Sequence, residues 1–332
     1  MKAAKSVLKI LLRALALVLC LLLLAALALT LLPLTETVEK TAVPGAADWM
    51  AALPDELPLS RVVLPGTHDS ATRYVQLAWF SKCQGLSIRE QLDAGFRYLD
   101  VRLGDAEKGE DFPRLVHGFT NCRSGFAGGK LYLDAVLADC YAFLAAHPTE
   151  TVVFAVKHEY GDLPTAEFER VLDGFVRVRE PFWLLTDELP TLGEARGKLV
   201  LLRRYEDEAG LGARSGLPFL WADQKGSADT GLSAAVHDQG SYLLRVQDRF
   251  EYETEDKWSA FLAGMDGARE DELVLSFLST KGSAAYGHPW KYAKALNAKL
   301  LALDEGALRG WIVVDFASSR LAAQIYGSNF PA

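Results

Sequence analysis

Eight short apolar runs, most of them rich in β-branched residues, alternate along this chain with segments of helical period. The runs fall at 61–64, 98–102, 114–117, 151–157, 198–204, 242–246, 272–278 and 311–316, and helices are expected near 87–94, 131–146, 165–179, 257–264, 290–304 and 319–326. Such alternation is the mark of βα units in a parallel sheet, and eight strands predict closure into a (β/α)8 TIM-type barrel. The stretch 131–146 illustrates the helical reading: Leu133, Val136, Leu137, Cys140, Tyr141 and Leu144 recur at three- and four-residue steps, and Pro148 follows. The third run and several helix boundaries are weak, so a distorted or incompletely closed barrel is expected.

The leader differs from everything after it. Lys2, Lys5, Lys9 and Arg13 precede an uncharged apolar run of 21 residues from 14 to 34, about the length a helix needs to cross a bilayer. This predicts an uncleaved transmembrane signal anchor at 1–34. The alternative is a cleaved signal, for which Ala26-Leu27-Ala28 offers a small-residue site, although the run continues past it. Because the basic residues come first, either reading sends the main domain out of the cytoplasm. Residues 35–58, punctuated by Pro44-Gly45, Pro54 and Pro58, read as linker and lead-in, and 59–332 as the barrel domain.

Of 35 Lys and Arg residues four lie in the leader, so the exported part carries 31 against 43 Asp and Glu, a net charge of about −12. Nucleic acid is therefore not an expected partner, and anionic lipid does not attract such a domain as a whole. Contact with a membrane would rest on the leader helix or on apolar side chains. Of Cys83, Cys122 and Cys140, two can pair in an oxidising compartment, and no zinc-binding Cys/His spacing is present.

Barrel enzymes work at the carboxyl ends of their strands. His68 follows the first run, Arg102 ends the second, His117 the third and Lys157 the fourth; Arg203 and Arg204 end the fifth, Asp248 follows the sixth and Asp315 is late in the eighth. One ionisable residue at one strand end is ordinarily a solvated loop residue. Two histidines, several cations and two carboxylates at corresponding ends suit phosphoryl transfer: one imidazole takes a hydroxyl proton, the other protonates the leaving oxygen, and cations between them stabilise the phosphoryl oxygens. Asp69 and Asp315 can each orient an imidazole. Neither a metal nor a cofactor is required.

These residues also carry a resemblance. Trp49-Met50, Leu64-Pro65-Gly66-Thr67-His68-Asp69-Ser70, the stretch from Gln91 to Arg102, His117-Gly118, Val156-Lys157-His158-Glu159, the stretch from Gly197 to Arg204 and Val314-Asp315-Phe316 resemble, in order, the X domain of bacterial phosphatidylinositol-specific phospholipase C. The resemblance spans roughly 47–320. It implies that His68, held by Asp315, is the general base on the inositol 2-hydroxyl, and that His117, assisted by Asp69, is the general acid for the diacylglycerol oxygen. It places Arg102 where calcium sits in metal-dependent relatives. Lys157 and one of Arg203 or Arg204 match residues that contact inositol hydroxyls. Asp248-Arg249-Phe250 resembles the family's Asp-x-Tyr, with Phe250 keeping the ring and losing the hydroxyl. The implied reaction releases diacylglycerol and inositol 1,2-cyclic phosphate without metal.

Two other readings use the same residues differently. One is a metal-dependent phosphodiesterase of the same superfamily acting on glycerophosphodiesters or sphingomyelin; the other is a non-catalytic, tethered lipid-binding module. Trp79, Phe80 and Trp290 are expected beside the mouth, where they can insert into lipid or simply pack. His147, His158, His237 and His288 read as surface or structural, and Gly66 as a turn residue. The sequence names no protein partner.

Overall fold

The computed structural model describes residues 2–224, 234–284, 287–304 and 306–330. Its strands are β1 (Leu64–Thr67), β2 (Tyr98–Gly104), β3 (Arg114–His117), β4 (Thr120–Asn121), β5 (Val152–Tyr160), β6 (Trp183–Leu184), β7 (Leu199–Arg203), β8 (Leu217–Pro218), β9 (Ala235–Asp238), β10 (Leu243–Gln247), β11 (Glu272–Phe277) and β12 (Trp311–Val314). The helices are α1 (Lys2–Leu31), α2 (Ala78–Ser81), α3 (Ile88–Asp93), α4 (Leu133–Ala146), α5 (Thr165–Val178), α6 (Leu192–Ala195), α7 (Thr254–Met265), α8 (Pro289–Leu301) and α9 (Ser319–Gly327).

A single curled sheet runs in the order β6-β7-β5-β2-β1-β12-β11-β10-β9, with β8 also on β7, and the pairs from β7 round to β10 are parallel. The expected TIM-type barrel is present, and among the described residues its ring is not closed by backbone pairing between β8 and β9. Side chains span that seam instead: Gln239 Oε1 accepts from the Leu220 amide at 2.9 Å, its Nε2 donates to the Leu220 carbonyl at 2.9 Å, and the Tyr242 hydroxyl donates to the Pro218 carbonyl.

Strand alternation sorts the side chains. Leu99, Val101 and Leu103 of β2, with Val152, Phe154 and Val156 of β5, face outward and pack under α3, α4 and α5. Their neighbours Tyr98, Val153 and Ala155 fill the interior with Phe219, Phe277 and Trp311. On the other side α7, α8 and α9 cover Val274, Ile312 and Val314. The packing of α3 begins from a local signal, since Ser87 and Glu90 form a reciprocal capping box.

The structure corrects the sequence reading in four places. Residues 114–117 are not a barrel strand, because β3 runs antiparallel to β2 and turns back through β4 as a hairpin on the rim. The eighth barrel position is taken by the two-residue β8, too short to leave a period in the sequence. The first strand starts at Leu64, after a 3-10 turn over Leu59–Arg61, so Gly66 lies within β1. A Cβ on Gly66 would come within 2.9 Å of Tyr98 Cβ, which makes it a close-approach glycine rather than a turn glycine. Finally, Cys83, Cys122 and Cys140 are all free thiols and buried, so no pair of them is joined.

The lower end of the barrel is plugged by the lead-in. Trp49 and Met50 pack into it, and Arg97, entering β2, uses all five of its donors there. It meets Glu150 at 2.9 Å and the carbonyls of Leu92, Phe96, Ala46 and Ala47. At the amino terminus, Lys5–Leu31 within α1 has a mean hydropathy of 2.9 and is the one helix among the described residues long and apolar enough to cross a membrane.

Candidate active site

The chemistry-bearing residues come off the carboxyl ends of the strands, opposite the plug. The cavity at the strand ends measures about 630 Å³. His68, Arg102, His117, Lys157, Arg204, Asp248, Phe250, Asp315 and Phe80 all line it.

Two carboxylates on strained turns hold the imidazoles. Asp69 and Phe316 have φ of 46° and 50°, in the left-handed region non-glycine residues avoid, so the chain is bent sharply just after β1 and β12. His68 Nδ1 is hydrogen-bonded to Asp315 Oδ1 at 2.8 Å, leaving Nε2 toward the cavity. His117 Nδ1 lies 2.7 Å from Asp69 Oδ2. The two rings are 6.3 Å apart between centroids and nearly perpendicular, a separation that leaves room for a phosphoryl group. Burial pushes the His68 pKa down, but the neighbouring Asp315 carboxylate, opposed in part by Arg102, leaves it raised above the ordinary value.

Between the histidines lies Arg102, with NH1 3.3 Å from Asp69 Oδ2. It donates to Asp100 Oδ2 at 3.0 and 3.1 Å and to Glu159 Oε2 at 3.1 Å. Burial opposes its charge, yet Asp100, Asp69 and Glu159 together hold its pKa well above the usual guanidinium value. Glu159 also receives Lys157 Nζ at 3.1 Å and the Gly118 amide at 2.6 Å, tying the rim hairpin to β5. Against the cost of burial, Arg102 and Arg204 lower the Asp100 pKa to about 2, and Arg102 and Lys157 lower that of Glu159 further.

Arg204 and Arg203 part company. Arg204 turns inward, its guanidinium 3.8 Å from the Trp221 ring centroid and 3.8 Å from Asp100 Oδ1. Trp221 in turn donates to Asp248 Oδ2 at 3.1 Å. Arg203 is the outward neighbour, donating to the carbonyls of Gly216 and Tyr205, and its assignment to substrate binding is corrected to a structural one. Trp79 stacks on His288 at 3.9 Å, and Trp290 packs edge-on against Phe316; neither lines the cavity, whereas Phe80 does. The exposed apolar side chains at the mouth are Leu77 and Phe119. His158, as the alternation of β5 requires, points away to Asp105 and Phe168.

Asp100, Glu159, Trp221 and Gln84 belong to this site and escaped the sequence reading. Gln84 Nε2 donates to the carbonyls of His68 and Val314, and its Oε1 accepts from the Ala317 amide, so one buried amide pins the turn that carries His68 to the turn that carries Asp315. For Asp100 and Glu159 a signal existed, since each stands two residues from a cation on the same strand and so on the same face.

Comparison with known proteins agrees with this geometry. Residues 57–205 match the family model for the phosphatidylinositol-specific phospholipase C, X domain. The chain is 28% identical over 292 residues to a 1-phosphatidylinositol phosphodiesterase of Staphylococcus aureus, covering 81% of this chain and 88% of the relative. A 1-phosphatidylinositol phosphodiesterase of Listeria monocytogenes is 25% identical over 300 residues, covering 85% and 84%. Among solved structures, the fold of this chain is similar to that of S. aureus phosphatidylinositol-specific phospholipase C, with a TM-score of 0.69 at 23% identity over 86% of this chain and 97% of that one. The L. monocytogenes enzyme gives 0.64 at 22% identity over 86% and 98%.

Proposed function

We infer that the protein is a phosphatidylinositol-specific phospholipase C that works without a metal ion, by intramolecular transphosphorylation. The observation that carries this is the pair of imidazole–carboxylate couples facing one cavity across Arg102, and the named relatives support the substrate. His68 Nε2, with Nδ1 engaged by Asp315, takes the proton of the inositol 2-hydroxyl. That oxygen attacks phosphorus, the bond to the diacylglycerol oxygen breaks, and His117 protonates the departing oxygen. The products are inositol 1,2-cyclic phosphate and diacylglycerol, so the enzyme is formally a lyase. Arg102, charged and anchored by three carboxylates, meets the negative phosphoryl oxygens. Lys157, Arg204 and Asp248 surround the inositol hydroxyls, and the Phe250 ring packs on the sugar.

A metal-dependent reading has one observation on its side: His68, Asp69 and Cys83 each place a ligand atom within 4.8 Å of the others. The donor set does not fit a cation. Asp69 already faces the Arg102 guanidinium and the His117 ring, and burial together with Asp315 pushes the Cys83 thiol well above its usual pKa, which disfavours the thiolate a metal would need. The apolar α1 serves, in this reading, as the anchor that holds an exported domain at the membrane.

The test is incubation of the purified chain with phosphatidylinositol in detergent micelles, following the phosphorus signal. The expected result is a cyclic phosphate that accumulates equally with and without a chelator. Its absence, or a chelator-sensitive rate, refutes the proposal.

A further inference from the structure

The segment that leaves the membrane helix is docked, not slack. Lys82 Nζ donates to the Pro33 carbonyl at 2.6 Å, and the buried Glu36 carboxylate lies 2.9 Å from His288 Nε2 and 3.6 Å from Lys82 Nζ. His288 is itself stacked on Trp79 and bonded through Nδ1 to the Trp79 carbonyl at 2.7 Å. Val38 sits so close over Gly85 that a Cβ there would meet it at 2.8 Å, and Lys40 pairs with Glu90 at 2.8 Å. From the last residue of α1, Leu31, to the first of these ties is two residues.

The ties fall on the loop between β1 and α3, on the first turn of α3 and on the residue that caps α8, and the loop and the α8 cap frame the mouth of the active site. The short α2 touches the end of α1, and Leu77, Phe80 and Ser81 of that same segment line the catalytic cavity. A four-residue helix is only about 6 Å long, so membrane exit and active-site mouth are neighbours. The surface between them suits a lipid interface. A cavity of about 450 Å³ at the end of α1, reached by Thr30 and Pro33, is lined by Lys40, Arg73, Lys82 and Arg123 with Glu36, and Glu90 pairs with Lys40 and Arg73 at 2.8 Å each, which leaves four cations to two carboxylates in an exported part that is acidic overall. Phe119 and Phe126, on the adjoining rim, are 62% and 50% exposed.

We propose that residues 33–40 are a strap that fixes the barrel mouth-down on the bilayer its own helix crosses, so that the enzyme draws substrate from the outer face of that same membrane. The partner surface is a lipid interface with anionic headgroups, met by the cationic cavity and the exposed rings. Diacylglycerol is then released into the leaflet from which its parent lipid came. This rests on the reading of α1 as a retained anchor and of the cavity as the lipase site.

The full chain, with Cys20→Ser, is reconstituted in nanodiscs of phosphatidylcholine and phosphatidylglycerol that contain no inositol lipid. An environment-sensitive fluorophore is placed at Phe119→Cys on the mouth or, separately, at Glu56→Cys on the plugged end. Spin-labelled headgroups are expected to quench the first several-fold more than the second, and Glu36→Lys, which sets a like charge beside Lys82 and removes the carboxylate that His288 meets, to erase the difference while leaving turnover of micellar phosphatidylinositol within twofold. Equal quenching at the two ends of the unaltered strap, quenching that survives Glu36→Lys, or loss of α1 in the producing cell overturns the proposal. Loss of micellar turnover in the unaltered chain counts against the lipase reading instead, because the quenching does not depend on it.

Discussion

At the scale of single residues, the raised pKa of His68 has a direct kinetic consequence. The base must be neutral to accept a proton, so kcat/KM falls as pH drops through that pKa. Burial alone would lower it, and the Asp315 carboxylate is what raises it. Asp315→Asn therefore moves the acidic limb of the pH–rate profile to lower pH. The plateau rate also falls, by roughly 10³–10⁴, because an orienting carboxylate sets the tautomer as well as the charge. A pH profile of both proteins on a water-soluble or micellar substrate checks this, and an acidic limb that stays in place would contradict the role given to Asp315. The histidines, Asp69, Arg102 and Asp315 were legible in the sequence because each stands at a strand end and has a chemistry of its own. Gln84 was not legible: an amide that binds three backbone groups across 230 residues leaves no local trace.

At the scale of elements, strand period explains both what the sequence reveals and what it conceals. The parallel strands β2, β5, β11 and β12 are buried on both faces and read as apolar runs. The hairpin β3–β4 has the same local composition as a barrel strand, and only its pairing partner distinguishes it. The seam at β8 and β9 was not readable, since side-chain bridges replace a ladder there. Period also separates adjacent arginines. In β7 Leu199, Leu201 and Arg203 share the outer face, and Val200 and Leu202, with Arg204 just past the strand end, the inner one. Arg204→Ala is expected to lower kcat/KM by 10-fold or more, an estimate for losing a charged contact to substrate of about 1.5–3 kcal/mol. Arg203→Ala removes hydrogen bonds to two carbonyls, and the expected cost is about 1–2 kcal/mol of stability with kcat/KM unchanged. Measuring Tm and kcat/KM for both variants tests the assignment, and the opposite pattern would reverse it.

For the whole molecule, the lead-in joins the two ends of the barrel: it is tied at the mouth through Glu36 and plugs the base through Trp49 and Met50. Ten residues of extended chain between Glu36 and Ala46 span at most about 33–36 Å, enough to run the height of a barrel but with little to spare. Stability and chemistry are thereby separated, since the plug lies at the strand starts and the catalytic groups at the strand ends. The Arg97–Glu150 pair at the base is fully buried, and Arg97 also gathers the carbonyls that end α3 and begin the lead-in. Arg97→Met leaves the Glu150 carboxylate without its cation and those carbonyls without donors, an expected loss of about 3–5 kcal/mol. For a barrel domain of about 275 residues that lowers Tm by roughly 5–9 °C. Adding Glu150→Leu removes the stranded charge and recovers part of the loss, because a buried pair replaced by apolar groups costs less than a broken one. Below the lowered Tm both variants are expected to keep the kcat of the parent chain on micellar substrate. If kcat fell with stability, the base would be coupled to the mouth and the separation of the two ends would not hold.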